Sequence, residues 1–276
     1  MDQISHNPNV HAIAREMKSA QDEARQIEPF TSRLRGFDVA TAYEVAHMIH
    51  RARLEAGAVP VGRKIGFTNP EMLTRCGVSE PIWAYIYDTT VVRLSGNVGV
   101  CSIGRFADPK IEPEIVVHFG SAPSVDARPS AILECIDWIA HALEVVQSHF
   151  PGWKFQAPDT VADSGLHGTL LVGEPQPVDR LGTDLTTALE RFSIALSCEG
   201  KLCEAGRGSN VLGSPLAAVG HLIAVLAKQP QYAPLQAGEL VSTGTLTTAL
   251  SIHAGETWRT DLRGIALPGL SVKLIA

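Results

Sequence analysis

Residues 109–119 read Pro109-Lys110-Ile111-Glu112-Pro113-Glu114-Ile115-Val116-Val117-His118-Phe119. Taken as a strand, the period of two puts Ile111, Ile115, Val117 and Phe119 on one face and Glu112 with Glu114 on the other. The apolar face belongs against a core. The two carboxylates stand roughly 6–7 Å apart at the backbone and repel unless a positive charge lies between them. Grouped oxygen donors of this kind suit Mg²⁺, Mn²⁺ or Ca²⁺. A solvated edge face is the plainer reading of the same pattern. Pro113 has no N–H to give to a ladder, which places it at an edge or a bulge.

Outward from this strand the chain continues as short β-branched runs broken by Gly and Pro: VVRL at 91–94, TLLVG at 169–173, ALSIHA at 249–254 and LSVKLIA at 270–276. That texture predicts a sheet-rich region. Helices are expected at 8–26, 38–56, 129–142 and 214–228. In the second, Asp38 is the N-cap, Val39, Ala42, Val45, Ala46 and Ile49 form the stripe, and Gly57 closes the end. In the last, Ser214 caps and Pro215 takes N1, where a missing N–H costs nothing. The fold class expected is α+β, with a small, mainly helical N-terminal portion over 1–70 and a mixed-sheet domain over 71–276.

At 276 residues the chain can bury a large core without disulfides or structural metal. Lys+Arg 23 against Asp+Glu 29 gives a net charge of −6, with no basic run to offset it, which argues against nucleic acid and anionic membranes as partners. The first residues lack the apolar segment of a signal peptide, and the apolar stretch Val211–Ala227 is interrupted and too short to span a bilayer. Five cysteines, Cys76, Cys101, Cys135, Cys198 and Cys203, read as inert thiols in a reducing cytoplasm. His47 and His50 read as surface histidines on their helix.

Three further segments carry chemistry. Glu144, in Ala142-Leu143-Glu144-Val145-Val146, is a solvated helical residue or, if a strand starts near Leu143, a lone carboxylate in an apolar run that requires a proton, a partner or a metal. Lys64 sits between Gly62 and Gly66 and could meet an anionic substrate; an exposed edge lysine is the alternative. Ser242-Thr243-Gly244-Thr245-Leu246 has the backbone N–H groups and hydroxyls of a carboxylate cradle, or is an ordinary Gly turn. No Walker A loop, complete dinucleotide fingerprint, nucleophile elbow or zincin motif is found.

In order and wording together, AYEVAHMI (42–49), VGRKIGFTNPEML (61–73), PKIEPEIVVHF (109–119), ALEVV (142–146), DTVADSG (159–165), GSPLAAVGHLIAVLA (213–227) and LVSTGTLTTAL (240–250) are telling. The chain resembles the 2-keto-4-pentenoate hydratase / 4-oxalocrotonate decarboxylase family of the fumarylacetoacetate hydrolase superfamily. The resemblance implies a mixed β-roll or barrel of the fumarylacetoacetate hydrolase C-terminal type. It implies Mg²⁺ or Mn²⁺ held at the positions of Glu112, Glu114 and Glu144, a functional lysine at Lys64, and a substrate-binding turn at Thr243, Gly244 and Thr245. It also implies a small 2-keto or 2-hydroxydienoate acid as substrate, a homo-oligomer, and association in some members with a related decarboxylase or hydratase.

Two departures bear on the reaction. The family's Pro-Asp-aromatic-Gly is here Pro81-Ile82-Trp83-Ala84, so the acidic residue is replaced by Ile82. Its Ala-Asp-Asn-Ala-Ser is here Ala162-Asp163-Ser164-Gly165-Leu166, with His167 next; His167 could supply acid–base function or be structural. The leading expectation is a metal-dependent lyase of hydratase type, with a 2-oxo-dioate decarboxylase or an acylpyruvate C–C hydrolase as alternatives. A hydratase-like subunit supporting a catalytic partner is the alternative of another class.

Overall fold

The computed structural model describes residues 9–69 and 78–276. Cys76 and the end of the 61–73 stretch lie outside them. Three helices come first: α1 (Val10–Asp22), α2 (Phe30–Arg33) and α3 (Val39–Glu55). Asp38 caps α3, its carboxylate accepting from Thr41 N at 2.8 Å. Gly57 follows the last turn at φ 92°. The first helix is shorter than its 8–26 pattern, running from an Asn9 cap to Asp22.

The strands follow as β1 (Pro60–Gly66), β2 (Ile82–Tyr87), β3 (Val91–Arg93), β4 (Val98–Ser102), β5 (Lys110–Phe119), β6 (Ile136–Val146) and β7 (His167–Val172). After these come β8 (Gln176–Pro177), β9 (Ser193–Cys198), β10 (Lys201–Arg207), β11 (Leu240–Thr245), β12 (Leu250–Ser251), β13 (Thr257–Arg263) and β14 (Ser271–Ile275). A nine-stranded mixed sheet has the order β2-β1-β11-β5-β6-β7-β3, with β12 added to β5 and β8 to β6; a five-stranded sheet runs β10-β9-β13-β14-β4. The large sheet curls around an apolar filling of Ile86, Val116, Ala140, Ala142, Leu170, Val172 and Leu240. Its other face meets the helices through Ile115, Val117 and Phe119, and the second sheet through Ile111, Leu143 and Val145.

The sheet begins at Pro60, ahead of residue 71. Gly62 makes this entry possible, because a Cβ there would sit 2.0 Å from Leu240 O on the neighbouring strand. Helix 129–142 is corrected: α4 (Pro129–Glu134) is a short helix, and an eleven-residue strand starts at Ile136. Pairing decides this, since β6 runs beside β5 from Trp138↔His118 to Val146↔Lys110. Two short helices that the pattern did not reveal, α5 (Ala157–Ala162) and α6 (Leu185–Arg191), precede α7 (Pro215–Ala227). Ser214 caps α7, accepting from Ala217 N, and Leu216, Val219, Leu222 and Leu226 bury it in the main core.

Pro113 is not on an edge. Its strand lies between β11 and β6, and the irregularity is in β11, which spends three steps from Ser242 to Thr245 while β5 spends two from Val116 to Glu114. The Pro113 carbonyl accepts from Leu246 N across this bulge.

Candidate active site

The bulge, the curl and the period of two converge at one place. Glu112 faces Glu144 directly across β5 and β6, and Glu114 is the next inward residue along β5. Carboxylate oxygens of all three lie within 4.8 Å of one another, the one such cluster of metal-ligating side chains among the described residues. Glu114 and Glu144 are fully buried and Glu112 is half-buried. Three carboxylates this close are stable as anions only against positive charge. An all-oxygen set suits a hard divalent cation, and the residues fit one.

Lys64 supplies part of that charge. It is buried, on an interior strand, and its Nζ lies 2.9 and 2.8 Å from the two oxygens of Glu144. Burial favours its neutral form, but Glu144, Glu114 and Glu112 together outweigh this and raise its pKa. Burial also works against a charged Glu144, yet Lys64 and His167 bring its pKa down to about 2. The other two glutamates go the opposite way. Burial and then Glu144 push Glu114 well above the usual range, and burial lifts Glu112 to about 7 despite Lys64. Glu144 is thus held ionised, while burial biases its two neighbours toward their protonated forms.

The turn at 242–245 does cradle a carboxylate, but the protein's own. Ser242 Oγ donates to Glu114 Oε2, and Gly244 N donates to the same oxygen at 3.1 Å. Gly244 must be glycine: its φ is +102° and a Cβ would lie 2.1 Å from Thr68 Oγ1. Thr243 points away and donates its hydroxyl to Ile115 O. These contacts leave Thr245 as the member of the turn that lines the cavity.

His167 does not face that cavity. Its Nδ1 lies 2.6 Å from Glu144 Oε1 and its Nε2 2.9 Å from Thr90 Oγ1. Burial lowers its pKa against the pull of Glu144, and because an ionised carboxylate only accepts, Nδ1 donates to Glu144.

The cavity above the glutamates has a volume of about 660 Å³. Ile82, Leu166, Phe67, Val146 and Phe155 make its apolar wall. Leu166 is held at φ 63°, between Gly165 at φ 63° and His167. That conformation is unfavourable for a branched side chain. Sequence reading passed over Lys110 and Lys154, which also line the cavity, and neither forms an ion pair among the described residues. Lys110 was findable, because it precedes Glu112 by two and shares its face; its ammonium lies 4.1 Å from the Trp153 ring centre. Lys154 had no signal. His50 is corrected from surface to buried: it stacks on Tyr85 and bonds Tyr87 Oη at 2.9 Å, and burial lowers its pKa to about 4.

Residues 77–268 match the fumarylacetoacetate (FAA) hydrolase C-terminal family. A 4-oxalocrotonate decarboxylase from a Pseudomonas species is 28% identical over 88% of this chain and 92% of its own length. 2-Keto-4-pentenoate hydratase 1 of Dechloromonas aromatica (strain RCB) is 28% identical over 93% of this chain and 94% of its own. The solved structure of 4-oxalocrotonate decarboxylase from Pseudomonas putida G7, complexed with magnesium and adipate, superposes with a TM-score of 0.87 at 26% identity, covering 96% of this chain and 97% of that one.

Proposed function

The chain belongs to the fumarylacetoacetate hydrolase C-terminal family, and from that premise we propose that it is a divalent-metal-dependent lyase that removes CO₂ from a short 2-oxo dioate. The observation that carries this choice is the composition of the cavity. Beyond the glutamates, the ionisable side chains that line it among the described residues are Lys64, Lys110 and Lys154. Hydration needs a group to orient water and move its proton, and Ile82 and Leu166 offer none. Loss of CO₂ needs an electron sink and a dry wall. Hydration, which led the reading of the sequence, uses the same metal site and is the reaction against which this one is tested.

Glu112, Glu114 and Glu144 would hold the cation, Mg²⁺ or Mn²⁺, which when bound supplies a Lewis acid for the 2-oxo carboxylate end of the substrate. Lys64 Nζ places a second positive charge beside that end. The bond to the distal carboxylate breaks and leaves CO₂, its electron pair moves along the conjugated chain toward the 2-oxo oxygen, and a proton taken up on that oxygen gives the dienol, or on carbon the 2-oxo enoate. The apolar wall disfavours the localised carboxylate relative to the dispersed charge that follows. Three glutamates, one divalent cation and three lysines leave two positive charges, which a dianion matches and a monocarboxylate does not. Lys110 and Lys154, at the lining without carboxylate partners, attract that dianion. The relatives' small acid substrates fit this reading, and we extend it, on the resemblance, to a homo-oligomer in the cytoplasm that also associates with a related hydratase.

Steady-state assay of the purified chain with Mg²⁺ or Mn²⁺ tests it. Release of CO₂ from 2-oxohex-3-enedioate should exceed hydration of 2-hydroxypenta-2,4-dienoate by tenfold or more in kcat/KM, that is about 1.4 kcal/mol in transition-state binding. The reverse order would establish the hydratase. Turnover of neither, without a second subunit, would support the partner role.

A further inference from the structure

Glu144 is held from two sides. Lys64 Nζ contacts both its oxygens, and His167 Nδ1 adds a third contact at Oε1. A carboxylate has about four lone-pair directions, so the uncommitted one is on Oε2. The far side of the imidazole is anchored as well. Nε2 meets Thr90 Oγ1, which in the β2–β3 connection donates to Tyr87 O at 3.1 Å and accepts from Tyr87 N at 3.3 Å. The His167 side chain is only 5% exposed and no part of it lines the cavity. A group so enclosed cannot exchange protons with a substrate directly, but it can decide how Glu144 points.

We propose that His167 is a positioning residue for the metal site: by donating from Nδ1 to Glu144 Oε1, and by its own anchorage at Thr90, it leaves Oε2 as the oxygen presented beside Glu112 and Glu114. The inference rests on reading the three glutamates as metal ligands. Without the ring, Oε1 has only Lys64 as partner, and the carboxylate is free to rotate toward the ammonium and out of the cluster. Partners that orient a metal ligand typically contribute about 10–100-fold to metal affinity. An acid–base role predicts something else, a loss of turnover with metal binding intact.

Two substitutions separate these roles. Asparagine places its amide nitrogen near the position of Nδ1, and glutamine places its own near Nε2. Mn²⁺ would be titrated calorimetrically into wild type, His167→Asn and His167→Gln. Positioning predicts a Kd in His167→Asn, which keeps the donor to Glu144 and loses only the Thr90 anchor, weaker by no more than in Thr90→Val, and a Kd in His167→Gln weaker by about 10–100-fold. The metal-induced rise in Tm should shrink in the same order. Thr90→Val keeps the imidazole and removes its anchor, so it should weaken Mn²⁺ binding several-fold and carries the test if His167→Gln does not fold. An unchanged Kd in His167→Gln, or in Thr90→Val where that variant must serve, overturns the inference. So does a loss of turnover of about 10²–10⁴-fold in both histidine variants with Mn²⁺ affinity intact. Absence of Mn²⁺ binding in wild type would sink the metal reading first, and this inference with it.

Discussion

Replacing Glu114 by Gln should stabilise the metal-free protein and abolish its response to metal, a combination that follows from where Glu114 sits. The side chain is 1% exposed, close to Glu112 and Glu144, and burial with the Glu144 charge holds its pKa well above the usual carboxylate value. A raised folded pKa contributes stability below the unfolded pKa, near 4.5, and that stability is lost as pH rises toward the folded value. Each unit of difference costs about 1.4 kcal/mol. Glutamine has the shape of the protonated acid, its oxygen can accept from Ser242 and Gly244, and its amide can donate toward Glu112 and Glu144. At pH 8 without metal, Glu114→Gln should therefore be the more stable protein. At pH 4 the two should coincide. With a divalent ion at a hundred times its Kd, wild type should gain about 2.7 kcal/mol, which is roughly 5–10 °C in Tm for a chain of this size, whereas the variant gains almost nothing. Differential scanning calorimetry with chelator and with Mg²⁺ or Mn²⁺, at pH 4 and pH 8, measures all four cases. Equal metal-induced shifts in the two proteins, or a variant less stable than wild type at pH 8 without metal, would refute the reasoning.

Three more outcomes are expected. Oxalate, which mimics the 2-oxo carboxylate end, should bind calorimetrically only when metal is present, and Lys64→Met should weaken it roughly ten- to a hundredfold through loss of a charge-assisted hydrogen bond; equal affinity in metal-free and loaded protein would discard chelation. Ile82→Asp puts a carboxylate into the apolar wall, so it should lower CO₂ release by about tenfold or more and raise the share of hydrated product measured by chromatography, at a cost in Tm from the buried charge; an unchanged product ratio would remove Ile82 from the choice of reaction. The metal Kd should tighten as pH rises from 5 to 8, because Glu112, lifted to about 7, and Glu114 must lose protons to bind; a flat profile by titration would remove them from the ligand set.

Strand β5 was legible because a period of two needs no tertiary information, and α7 because Ser214 and Pro215 mark its start chemically. The helix assigned to 129–142 failed for a reason internal to sheets. Ala140, Ala142 and Glu144 look inward over the curl while Ile139, Leu143 and Val145 pack outward, so both faces of β6 are buried and the alternation that would have marked a strand is erased. Pro129 and Ser130 are real start signals, and they were extended past Glu134 for want of a stop. The bulge expected at Pro113 was real in effect and misplaced in position. A proline on β5 creates the vacancy, but the extra residue is on the partner strand, 130 positions later, where no local reading could find it.

The site divides along the same line. Glu112 and Glu114 share a strand, so their spacing could be read directly. Lys64 reaches Glu144 across the interior of the curl, with β11 and β5 lying between their strands, and no spacing in the sequence encodes that approach. The Ser242–Thr245 turn was legible as a nest for an anion; whose anion it holds depended on a register between β11 and β5 that the bulge sets. The charges then explain each other. A fold that curls three glutamates inward must offset their charge, and Lys64 from β1 does so as a cation and His167 from β7 as a hydrogen-bond donor, with the proposed divalent ion completing the balance. Lys110, seated over the Trp153 ring, and Lys154 form no ion pair among the described residues, and the charge they add is what a second substrate carboxylate would neutralise. The apolar wall and the unpaired lysines are independent features of the sequence, one a loss of acid at Ile82 and the other a surplus of base at the lining. Both agree with the substrate proposed above, an acid with two charges that can leave with one.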